Sequence, residues 1–285
     1  MRIINSQSIT DAVSRLCVGA NYYISPDIKA ALEKGAAAEE NLRAKGVLEK
    51  LLQNAQIAGD EHVAICQDTG MAVVFVSIGQ NVHIEGSLEN AINEGVRQGY
   101  KNGYLRNSVV GDPLNRINTG DNTPAVIHYE ITQGDKVEIT VAPKGFGSEN
   151  MSGIKMLKPS DGEQGVIDFV IETVKNGGGN PCPPLVVGIG IGGTMEKAAM
   201  LAKKALLRPV DIENSDKYYA EMEGLLLKRI NELGIGPMGW GGSTTALGVN
   251  ILTYPTHIAG LPVAVNISCH VTRHEIGRAS CRERV

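Results

Sequence analysis

Three short apolar runs limit this chain's possible folds more than any other feature: Met71–Ile78 (MAVVFVSI), Pro184–Ile191 (PLVVGIGI) and Leu261–Ile267 (LPVAVNI). Each is too short for a buried helix and too continuous for a half-exposed strand, so each reads as a strand. Helical segments lie around them. Ser25-Pro26-Asp27 opens one, with a capping hydroxyl, a first-turn proline and an acid at the positive end of the dipole. A second runs from about Glu39 to Ala58, with Ala44, Leu48, Leu51, Leu52 and Ala55 on one face, and Gly59-Asp60 ends it. Ser87 to Tyr100 is amphipathic through Leu88, Ile92 and Val96.

Pro124 then opens an expected hairpin, Val126–Thr132 and Lys136–Ala142 around Gln133-Gly134-Asp135. Ser160 and Glu163 form a capping box before a helix from Gln164 to Lys175 that Gly177 closes. Thr194–Leu207 and Ser215–Leu233 read as helices and Thr244–Leu252 as a strand. The expected class is mixed α/β: a helical N-terminal region, then a mixed α/β region with a hairpin and βα segments.

Bulk properties exclude several functions. With 42% hydrophobic and 20% charged residues, the 285-residue chain has the make-up of a globular protein. Its formal net charge is −4 and no basic run tracks a phosphate backbone, so nucleic acid is not an expected partner. No apolar stretch is long enough to span a membrane, and the N-terminus MRIINSQSITDAV has no secretion-signal core. A cytoplasmic location is expected, where five cysteines are thiols, metal ligands or catalytic groups and not a disulfide framework. The arginine-rich end differs in character: one domain is expected over residues 1–274, and residues 275–285, with Cys281, read as a non-native tail.

Three cysteines sit beside turn-forming words next to strands: Cys66 in CQDTG, Cys182 in NPCPP and Cys269 in NISCH. Their separations are far too long for a zinc ribbon or a sequential ferredoxin motif. On spacing alone they read as small buried hydrophobes. Cys17, in a helical segment, reads as structural. Gly188-Ile189-Gly190-Ile191-Gly192-Gly193 matches the dinucleotide fingerprint, with Asp211 about twenty residues on. Against a nicotinamide oxidoreductase, Leu207-Arg208-Pro209-Val210 is too short and proline-broken for the second strand that fingerprint needs.

CQDTG, GDPLNRINTGDNTP, PKGFGSENMSG, NPCPP, GIGIGGTMEKA and NISCH occur in that order. Together they resemble the α subunit, or N-terminal domain, of class I iron–sulfur fumarases and their sister L(+)-tartrate dehydratases, over the chain up to about His274. The resemblance implies a [4Fe–4S] cluster on Cys66, Cys182 and Cys269, with one open iron. It implies substrate contacts at Gln67, Asp68, Arg106 and Gly145, and an acid–base pair of Asp68 and His257. The implied activity is a hydro-lyase converting fumarate to malate, or dehydrating L(+)-tartrate. Single-chain members are about twice as long, so the resemblance also implies a β-subunit partner and an α₂β₂ assembly. A cluster that does no chemistry, in a scaffold or redox sensor, is the alternative from another class.

Overall fold

The computed structural model describes residues 2–279. In chain order the first half holds β1 (Arg2–Asn5), α1 (Ser6–Tyr22), α2 (Pro26–Ala38), α3 (Leu42–Glu61), β2 (Met71–Gly79), β3 (Val82–Glu85), α4 (Leu88–Asn102), β4 (Val126–Thr132) and β5 (Val137–Lys144). The second half holds a one-turn α5 (Phe146–Glu149), β6 (Gly153–Leu157), α6 (Gly162–Gly177), β7 (Leu185–Gly192), α7 (Met195–Ala205), α8 (Lys217–Glu232), β8 (Ala246–Tyr254), β9 (Leu261–Ser268) and β10 (Glu275–Ala279). The class is mixed α/β. Among the described residues no helix is long and apolar enough to cross a membrane.

The chain divides into two units. The first takes in residues 2–24, 55–146 and 273–279 of the described chain. Its four-stranded sheet has the order β10-β5-β2-β4, with β2 parallel to β4 and antiparallel to β5. The expected hairpin is therefore wrong in its pairing. β4 and β5 do form, and Val137, Ile139 and Val141 are buried as the alternation requires. But β2 lies between them, because its continuous apolar run needs a partner on each edge and cover on both faces. α1 and α4 pack on this sheet through Val13, Cys17, Ile92, Val96 and Tyr100. They approach closely because α4 carries glycine where side chains would collide: a Cβ on Gly95 would lie 2.7 Å from Val13 Cβ, and one on Gly99 would lie 2.8 Å from Cys17 Cβ.

The stretch Glu275–Ala279, assigned to a tail from sequence, is an edge strand antiparallel to β5. The rest of that stretch, with Cys281, lies outside the described residues. The short parallel pair β1–β3 completes this unit and has no apolar run to announce it.

The second unit covers Ser25–Asn54 and Gly147–Thr272. Its sheet has the order β6-β9-β7-β8, with β7 parallel to β8 and antiparallel to β9. Every residue of β7 is buried. Leu185, Val187, Ile189 and Ile191 join a core with α6 and α8, through residues such as Val170, Val174, Leu226 and Ile230.

Some helix ends differ from expectation. Ser25 makes no side-chain cap on α2, and Asp27 instead accepts from the Val210 amide at 2.9 Å. α3 starts at Leu42, not Glu39, because Asn41 Oδ1 accepts from Arg43 and Ala44 N–H. Glu39 is buried and takes the Ser243 amide and hydroxyl. Before α6, it is Asp161 that accepts from a backbone amide, that of Lys158, in place of the expected Ser160–Glu163 box.

Candidate active site

The Cys66 loop belongs to the first unit. His62–Ile65 forms no strand, so the cysteine follows α3 through an irregular segment and leads directly into β2. Behind the loop, buried donors hold its carbonyls. The Tyr100 hydroxyl donates to Thr69 O at 2.8 Å and lies 3.0 Å from Gly70 O, and Asn122 Nδ2 donates to Gly70 O at 3.1 Å. Burial pushes the Tyr100 phenol well above its ordinary range, so this donor keeps its proton. Arg273 donates to the carbonyl of Asp68.

The Asp68 carboxylate is itself held at both oxygens. Oδ1 accepts from Gly70 N–H at 3.0 Å and Oδ2 from Phe146 N–H at 2.9 Å. Backbone amides are full donors that favour an acceptor-only carboxylate. Gly145 permits this approach, since a Cβ there would sit 3.0 Å from Asp68 Oδ2. The Phe146 amide is thus engaged by the chain's own Asp68. Gln67 is exposed beside it.

Thr69 ties a second segment to this loop. Arg106 N–H donates to Thr69 Oγ1 at 2.9 Å, and the Thr69 hydroxyl lies 3.2 Å from Arg106 O. The Arg106 guanidinium is exposed and, among the described residues, makes no ion pair. Its fork is therefore open to an anion. Asn122 Oδ1 accepts from Ser108 N–H at 2.7 Å, so one buried amide secures both the Cys66 loop and the segment that carries Arg106.

Cys182 and Cys269 belong to the second unit. Cys182 has φ of 55° in the turn before β7, and its carbonyl lies 3.1 Å from His270 Nδ1. Cys269 follows β9, and its carbonyl accepts from the Thr272 hydroxyl at 2.8 Å. The residue after one cysteine thus touches the backbone of the other. His257 is exposed in the loop after β8, and its Nδ1 accepts from Ala259 N–H at 3.2 Å. A neutral ring with Nδ1 as acceptor carries its proton on Nε2.

The thiols divide by environment. Cys66, Cys182 and Cys269 form no disulfide and are partly exposed in loops, whereas Cys17 is fully buried and burial pushes its thiol up to about 12. A thiolate is the ligand form, so the first three suit metal binding and the fourth does not. Among the described residues no three His, Cys, Asp or Glu side chains gather to hold a metal ion. Three thiols are the donor chemistry that an iron–sulfur cluster takes.

The glycine fingerprint has a structural explanation. Gly188 and Gly190 lie inside β7, not in a turn at its end, and alternate with the core-facing residues. A Cβ on Gly190 would fall 2.0 Å from Ala198 O of α7, and one on Gly188 would fall 2.2 Å from Ala202 O. These glycines let α7 lie close against the sheet.

The sequence reading missed Thr69, Tyr100, Asn122 and Arg273. Asn122 had a signal, since the polar word TGDNTP that carries it is rich in turn-forming residues. Tyr100 had none beyond its place on an apolar helix face.

What the fold and these loops define is a mixed α/β protein whose three accessible cysteines flank strands of two units, with a pinned carboxylate and an open arginine beside the first. The family model for fumarate hydratase (fumerase) matches residues 10–278. A Methanocaldococcus jannaschii protein provisionally named L(+)-tartrate dehydratase subunit alpha is 45% identical over 277 residues, 95% of this chain and 97% of its own. The L(+)-tartrate dehydratase subunit alpha of Escherichia coli is 32% identical over 269 residues, 93% of this chain and 88% of its own. The same values hold for the Shigella sonnei protein of that name. The chain belongs to the fumarate hydratase family.

Proposed function

We propose that this chain is the cluster-bearing α subunit of a hydro-lyase that reversibly hydrates fumarate to malate in company with a β subunit. The observation that carries the reading is the Cys66 loop: an accessible thiol, an aspartate held at both carboxylate oxygens and an unpaired arginine, all tied to one another through Thr69 and buried donors. Family membership supplies the reaction class.

Cys66, Cys182 and Cys269 are the residues that would hold a [4Fe–4S] cluster. Bound by three thiolates, such a cluster supplies one iron with no protein ligand, a Lewis acid for the substrate's hydroxyl and carboxylate.

The chain's own residues bind and orient. Arg106 clamps a carboxylate of the dicarboxylate in two-point fashion. Gln67 contacts the substrate next to it. Asp68, restrained by the Gly70 and Phe146 amides, orients the departing or entering water, with Gly145 permitting close approach. His257 presents Nε2–H and orients the leaving hydroxyl by a hydrogen bond.

L(+)-tartrate is the second reading, favoured by the names of the relatives at 45% and 32% identity. Water removal next to a carboxylate is the same chemistry in both substrates, so the residues above serve either. An α₂β₂ assembly in the cytoplasm completes the proposal. The test is anaerobic reconstitution with iron, sulfide and the β subunit, followed by assay on malate, fumarate and both tartrate enantiomers. Turnover of malate or fumarate supports the first reading, turnover of L(+)-tartrate alone supports the second, and turnover of none refutes both.

A further inference from the structure

Arg273 is 6% exposed, yet it is a cation with no carboxylate in ion-pair contact among the described residues. Its Nη2–H donates to the main-chain carbonyl of Asp68, while Nε–H and Nη1–H are buried without an acceptor. Asp68, whose carbonyl it meets, turns both carboxylate oxygens to the Gly70 and Phe146 amides and not to Arg273. Leaving a charge and two donors unsatisfied in the interior opposes folding, and an apolar side chain of similar volume would avoid that penalty. What the arginine adds is restraint. The carbonyls of Asp68, Thr69 and Gly70 each receive a buried donor, and Arg273 holds the first of them.

We propose that Arg273 is a positioning residue for the hydro-lyase reaction, fixing Asp68 through its peptide. The proposal rests on the functional reading above and deepens it. Gly70 and Phe146 restrain the Asp68 side chain, and Arg273 restrains the main chain that bears it. Without Arg273 the loop can tilt and carry the carboxylate off its line to the substrate. A displacement of about 1 Å at a reacting group lowers turnover by about a hundredfold.

The test compares wild type, Arg273→Met and Arg273→Lys, each in the holoenzyme reconstituted with the β subunit. Arg273→Met is expected to lower kcat by about a hundredfold with KM changed by less than about threefold. Lysine, which keeps the charge and one donor, is expected to restore part of that loss. In an Asp68→Asn background the same substitution is expected to add little, because its effect passes through Asp68. Amide hydrogen exchange, measured without substrate, is expected to quicken at Gly70 and Phe146 in Arg273→Met. Unchanged exchange at those amides in a folded variant would overturn the proposal, as would a full further loss in the Asp68→Asn background. If Arg273→Met does not fold, the exchange comparison is made on Arg273→Lys, with the same two amides deciding. A wild type inert on every dicarboxylate but with Arg273-dependent exchange refutes the hydro-lyase reading and leaves the positioning role standing.

Discussion

Asp121 sits in a polar stretch that nothing apolar stabilises, and hydrogen bonds do that work instead. Its Oδ1 accepts from the Thr123 amide and hydroxyl at 3.0 and 2.7 Å, and its Oδ2 from Arg97 Nε at 2.8 Å. Partial burial raises its pKa, but the Thr123 bonds and Arg97 outweigh that and hold it down at about 2. A carboxylate depressed when folded contributes stability at pH above its ordinary range near 4, and loses it as pH falls toward 2. The acid side of the unfolding curve should therefore steepen between those values in wild type and flatten in Asp121→Asn, as read from urea midpoints against pH. A wild-type curve that does not differ from the variant's would contradict this. Beside it, Asn122 joins the two segments that hold Asp68 and Arg106. On the proposed mechanism, His257→Asn should lower kcat by about a hundredfold or more while leaving the cluster's visible absorbance intact. Turnover at the wild-type rate would remove it from the mechanism. At this scale the sequence was informative where chemistry is local. Cysteines beside turn words were visible in NPCPP and NISCH. The donors behind the loop, Tyr100 and Arg273, were not, because only the tertiary fold brings residues so far apart in the chain into contact.

Between elements, close packing depends on glycine. α7 lies against β7 over Gly188 and Gly190, and α4 lies against α1 over Gly95 and Gly99. Gly190→Ala sets a methyl against the Ala198 carbonyl and should destabilise by upward of about 3 kcal/mol, since the obstacle is backbone. Gly224→Ala is the control. That glycine lies exposed in α8 with nothing within 4 Å of a new Cβ, so the change should stabilise by about 0.5–1 kcal/mol. Thermal unfolding of the two variants decides, and similar shifts would refute the packing explanation. The same glycines account for the dinucleotide fingerprint. A pattern at alternate positions fits a strand face as well as a phosphate loop; the proline-broken segment before Asp211 already argued against the loop, and the location of Gly188 and Gly190 inside β7 puts them on the strand. The hairpin failed for a related reason. Turn chemistry at Gln133-Gly134-Asp135 describes the connection, but β2, far earlier in the chain, takes the place between β4 and β5. By contrast, the buried strands β2, β7 and β9 were legible from their continuous apolar runs.

For the molecule as a whole, the four cysteines among the described residues divide by proposed function. Serine at Cys66, Cys182 or Cys269 should abolish or sharply lower iron and sulfide uptake, and serine at Cys17 should leave uptake unchanged, by elemental analysis after anaerobic reconstitution. Equal uptake in all four variants would contradict the assignment. The isolated chain should bind the cluster yet turn over malate only when the β subunit is added. The measurement closest to the central claim is the electron paramagnetic resonance spectrum of the reduced, reconstituted assembly, recorded with and without malate. A three-cysteine cluster with one iron open to substrate predicts a signal whose g values shift when malate binds. A cluster signal that malate leaves untouched, in an assembly that binds malate, would contradict it.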